Sequence, residues 1–104
     1  MSRGPDIGTL LTRMLERLAI AAACPIIIEQ ADWERWASAT FSGARHAITL
    51  SAGPSDAFHA WLAGLAEQPV ELPGHLVADL VVGQMTRLPD RTTVNLEVLT
   101  VQER

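Results

Sequence analysis

Two amphipathic strand patterns close the chain, Leu76 to Thr86 and Thr92 to Val101, with Leu88-Pro89-Asp90 between them as a turn. In the second, Val94, Leu96 and Val98 alternate with Thr93, Asn95 and Glu97. Period-two alternation puts one face on a core and the other in water. The first is apolar on both sides. Leu76, Ala78, Leu80 and Val82 line one face, and Val77, Val81 and Met85 line the other. A strand apolar on both faces needs cover on both. A chain of 104 residues has few elements to supply it. The pattern therefore predicts self-association, a homodimer through the sheet face carrying Val77, Val81 and Met85, or another protein in that place.

The length fits one domain, residues 1–104, with a short leader at 1–5. A hydrophobic content of 48% belongs to a folded chain. The uncharged stretch Leu18 to Cys24 is far shorter than the roughly 20 residues of a membrane span. The start, Met1-Ser2-Arg3-Gly4-Pro5, lacks the features of a secretory signal. Cys24 is the only cysteine, which suits a reducing compartment. A cytoplasmic protein with no membrane partner is expected. The net charge is −4 and no basic stripe is present, so no nucleic-acid partner is expected. Lys and Tyr are absent and every basic residue is Arg. GC-rich codon usage accounts for that more simply than selection for bidentate recognition.

Asp6 caps a helix running to about Ala23, with Ile7, Leu11, Met14 and Leu18 on one stripe; Pro25 ends it. Ile26-Ile27-Ile28 starts a strand. Gln30 to Glu34 reads as a turn or bulge, and Trp36 to Ser42 as a second strand. Gly43-Ala44 has the form of a two-residue hairpin turn leading into Arg45 to Ala52, where His46, Ile48 and Leu50 point inward. Ser55 caps a second helix to about Ala66, with Phe58, Leu62 and Leu65 as its apolar face. Gln68 to Gly74 is a connector. The fold class is α+β: an antiparallel sheet of four to five strands with two helices on one face, in the order α-β-β(-β)-α-β-β. That element order is similar to the layout of small acidic dimeric secretion chaperones. No residue carries the likeness, so it implies nothing about function.

Trp33, Arg35, Trp36 and Arg45 join Val77, Val81 and Met85 as the candidate interaction surface, because Trp and Arg dominate binding hot spots. His75 and Asp79 stand four apart on a strand, hence on one face, and His46 comes from a neighbouring strand. Two histidines and a carboxylate form the weaker, polar candidate for a small-molecule site or a minor enzyme. Ser55, Asp56 and His59 are a triad by letters only, since they share one helical turn. No glycine-rich phosphate loop follows a strand, and neither cofactor nor metal is expected. The leading expectation is a non-enzymatic binding domain. The alternatives are the small-molecule protein and a subunit of a larger structural or secretion-type assembly.

Overall fold

The computed structural model describes residues 5–103; residues 1–4, most of the expected leader, lie outside them. The elements are α1 (Ile7–Ala21), β1 (Ile27–Ala37), β2 (Ser42–Ala52), α2 (Asp56–Leu65), β3 (Glu71–Leu72), β4 (His75–Leu88) and β5 (Arg91–Gln102). The strands form one antiparallel sheet in the order β1-β2-β5-β4-β3. The α+β reading therefore holds, with a short fifth strand inside the expected connector.

The Asp6 carboxylate accepts from the Thr9 N–H at 2.8 Å and starts α1. That bond holds the Asp6 pKa below the usual carboxylate value. Asp6→Ala is expected to cost about 1 kcal/mol, read from the urea midpoint. The helix stops before Pro25 is reached. Ala23 turns to φ 60°, the Ala23 N–H donates to the Ile20 carbonyl, and the Cys24 N–H donates to the Ala19 carbonyl. This pair of bonds is a Schellman ending with alanine where glycine is usual. Ala23→Gly should raise stability by about 1 kcal/mol, because the left-handed conformation no longer carries a Cβ. A lower denaturation midpoint in that variant would contradict the account.

Ile7, Leu11, Leu15 and Ala19 of α1 and Phe58, Trp61, Leu62 and Leu65 of α2 share one buried cluster with Ala44, Ile48, Leu50, Leu80, Val94, Leu96 and Val98 of the sheet. Both helices thus cover the same sheet face. Cys24 is buried at the edge of this cluster, and burial raises its thiol pKa.

Three strand expectations are corrected. Gln30 to Glu34 is continuous β1, not a turn, and the expected second strand Trp36 to Ser42 is instead broken by the chain reversal at residues 38–41. There the Ser38 Oγ accepts from the Phe41 N–H at 3.1 Å, and the Ser38 N–H donates to the Phe41 carbonyl at 2.7 Å. Gly43 and Ala44 lie inside β2, paired with Trp36 and Arg35. Gly43 is therefore a close-contact glycine, not a hairpin-turn glycine. The β3–β4 turn is Pro73-Gly74, with Gly74 at φ 72°, the arrangement of a type II turn.

The largest correction concerns β4. Its pairing with β5 slips by one residue between Val77 and Asp79, and again between Val82 and Met85. Each slip inserts one extra residue on β4, and an odd insertion swaps the faces. Val77, Leu80, Val82 and Met85 consequently all face the helices and pack on the core. Of the three residues expected on a second apolar face, only Val81 lies there. The bulges let one strand place apolar residues on the core at spacings of three, two and three.

Candidate binding face

The helix-free face can be laid out as rows across β1, β2, β5 and β4 from the pairing register. One row is Trp36, Gly43, Val101, Leu76. The next is Glu34, Arg45, Leu99, Asp79, and the third is Asp32, Ala47, Glu97, Val81. Beyond them Thr49 donates from Oγ1 to the Asn95 Oδ1 at 3.1 Å, so the face turns polar. The second and third rows line an open hollow of about 630 Å³. Val81, in the hollow, is 47% exposed and Leu76, in the row beside it, 57%, high for aliphatic side chains. Trp36 lies over Gly43, whose missing side chain gives the indole its seat.

Four carboxylates, Asp32, Glu34, Asp79 and Glu97, meet one guanidinium, Arg45, in this hollow. The difference is −3, against −4 for the whole chain. Asp32 accepts from the Gln30 side-chain amide at 2.7 Å. Among the described residues the only ion pair is Arg91 with Glu29 at 3.1 Å, away from the hollow. Among the described residues, the carboxylates of the hollow therefore outnumber its one cation.

The remaining candidate residues are not on the helix-free face, although Trp33 and His46 also border the hollow. Trp33 faces the helices. A Cβ on Gly8 of α1 would come within 2.6 Å of its indole Cδ1, so the ring clamps the start of α1 to the sheet. Arg35 is exposed on β1 and shares the side of Trp33. His46 is buried on the helix side, tilted against Trp33 at a centroid distance of 6.3 Å. Its Nε2 lies 3.0 Å from the Thr100 Oγ1, and that hydroxyl donates to the Ala44 carbonyl. With the hydroxyl proton assigned to the Ala44 carbonyl, the neutral His46 imidazole carries its own proton on Nε2. Burial lowers its pKa to about 4, with the nearby His75 acting in the same direction and Asp6 opposing.

His75 sits at the sheet end, its Nδ1 2.9 Å from the Pro73 carbonyl. The first β4 bulge places His75 and Asp79 on opposite faces, so their spacing of four does not bring them together. His46, His75 and Asp79 do not converge, and among the described residues no group of three His, Cys, Asp or Glu side chains is placed to hold a metal. Ser55 is occupied as a helix cap, accepting from the Phe58 N–H at 3.0 Å.

Sequence reasoning missed Leu76, Leu99 and Val101 as open-face residues and the acidic set around them. One signal was available. Gly83 interrupts the apolar run of β4, and an isolated strand glycine often marks a bulge. No family model, curated protein or solved structure matches the chain. Among the described residues no helix is long and apolar enough to cross a membrane.

Proposed function

We propose that the chain is a non-enzymatic binding domain whose working surface is the helix-free sheet face. The observation that carries this is the hollow itself: exposed apolar side chains ringed by four carboxylates that form no ion pair among the described residues. Buried sheet faces are normally covered, and exposed apolar patches rimmed by polar groups mark interaction surfaces. Chemistry has no comparable support, because the histidines and Asp79 are dispersed.

The test is quantitative capture of binding partners from host extract by the intact chain and by a Leu76→Gln, Val81→Gln double variant. Both side chains are exposed, so the variant should keep its stability within about 0.5 kcal/mol. At least tenfold weaker capture is expected. Equal capture by an equally stable variant would refute the reading.

A second form, the homodimer, is supported by the row Trp36, Gly43, Val101, Leu76, which carries no charge and would not repel a copy of itself. This relocates the expected dimer surface from Val77, Val81 and Met85 to Trp36, Val101 and Leu76. Light scattering over a concentration series should then give twice the 11.3 kDa chain mass, falling to one chain in Leu76→Glu. A single-chain mass at every concentration would leave that face to another protein.

A further inference from the structure

We propose that the partner enters as an extended, basic segment of another protein that adds to the sheet along β1. This rests on the reading above that the chain works by binding protein, and it names the route and the chemistry of the occupant.

The two sheet edges differ. At the far edge, β3 covers only the start of β4, and two bulges disrupt the remainder. Bulges and short strands are the usual means of closing an edge to further pairing. The β1 edge lacks that protection over most of its length. From Gln30 to Ala37 its register with β2 is unbroken, and the single slip lies earlier, between Ile28 and Gln30. Eight consecutive residues therefore present a regular row of backbone groups outward, enough for strand addition.

Charge decides which strand fits. A twofold antiparallel pairing of β1 with its own copy can be centred on Asp32, Trp33, Glu34 or Arg35. These registers oppose Asp32 to Asp32, Asp32 to Glu34, Glu34 to Glu34 and Arg35 to Arg35. Like charges directly opposite destabilise a strand pair. In these four registers the edge is thus guarded against a second copy. The same Asp32 and Glu34 point to the helix-free face and form one wall of the hollow, with Asp79 and Glu97 across it. A strand with basic side chains opposite Asp32 and Glu34 would be drawn by all four carboxylates, the reverse of what a copy experiences. Residues alternating with those basic ones would lie beside Ala31 and Trp33, where small or apolar groups fit.

The probe is a nine-residue peptide alternating arginine and valine, compared with the same peptide carrying glutamate for arginine. Both are titrated into the intact chain, with affinity measured by calorimetry and the site by amide hydrogen exchange. The arginine peptide should bind at least tenfold more tightly. It should slow exchange at alternate amides between Gln30 and Ala37. An Asp32→Lys, Glu34→Lys variant, with both side chains on the surface, should reverse the preference. Protection or shifts confined to the floor at Val81 and Leu99, with β1 amides unchanged, would overturn strand addition while leaving the binding face in place. Equal affinity for both peptides, no binding of either at millimolar concentration, or concentration-dependent protection of β1 without any peptide would each overturn the proposal. Loss of partner capture at Leu76 and Val81 is measured separately, so the two readings fail independently.

Discussion

Gly43→Ala should cost about 3 kcal/mol, the upper part of the usual range for overpacking a tight contact. A Cβ built on Gly43 overlaps the Thr100 carbonyl oxygen, and it comes within 3.1 Å of the Trp36 Cε2. The carbonyl belongs to backbone fixed by the β2–β5 ladder, so it cannot swing aside as a side-chain tip would. For a domain of this size the thermal midpoint should fall by roughly 12 to 24 °C. Gly64 provides the contrast. It sits in α2 with nothing within 4 Å of a built Cβ. Gly64→Ala should therefore raise stability by up to about 1 kcal/mol, the helix-propensity difference. If both variants melted at the wild-type temperature, the close approach of β2 to β5 at Gly43 would be wrong. A stable Gly43→Ala would also remove the reason that Trp36 lies over that position, and with it one end of the proposed dimer row.

Much of this architecture could be read from residue spacing. Asp6 and Ser55 mark the helix starts by their side-chain oxygens, and both bonds form. Val94, Leu96 and Val98 alternate without interruption, and β5 follows that alternation to the core. The misreadings share one cause, which is that period two is lost wherever a strand gains a residue. Ala78 and the Gly83-Gln84 segment are such places, and they moved Val77 and Met85 from the expected open face into the core. Counting in twos across a bulge inverts every later assignment. The same effect separated His75 from Asp79. For β1 the difficulty was polarity. Gln30, Asp32 and Glu34 look like a turn or bulge, yet an edge strand with little burial tolerates such residues, and charge there discourages self-pairing. The hollow was not legible at all, because its walls come from four strands and its rows depend on register.

Acidification should destabilise the protein through His46. The folded-state pKa is about 4, below the unfolded value of 6.5. The unfolded chain thus binds a proton that the folded chain refuses. The stabilisation is complete above pH 6.5 and is lost as the pH falls through 6.5 towards 4. Between pH 7.5 and 4.5 the loss from this one group should be about 2.5 kcal/mol. The cause is geometric. His46 is 4% exposed, and its Nε2 lies 3.0 Å from the Thr100 hydroxyl. A second proton would charge a ring pressed between Trp33 and the core. Asp6 falls in a different window, because its lowered carboxylate pKa makes it lose stabilisation only below the usual value of 3.8. Denaturation midpoints taken from pH 7.5 to 4.5 therefore isolate the imidazole from the cap. In His46→Gln, whose side-chain amide can still donate to Thr100, this part of the pH slope should vanish while stability at pH 7.5 changes less. Thr100→Val should act differently, costing about 1 to 3 kcal/mol at every pH by leaving a buried N–H without its acceptor. An unchanged slope in His46→Gln would show that the imidazole reaches water in the folded state, and the tight seat of α1 on Trp33 and His46 would have to be given up.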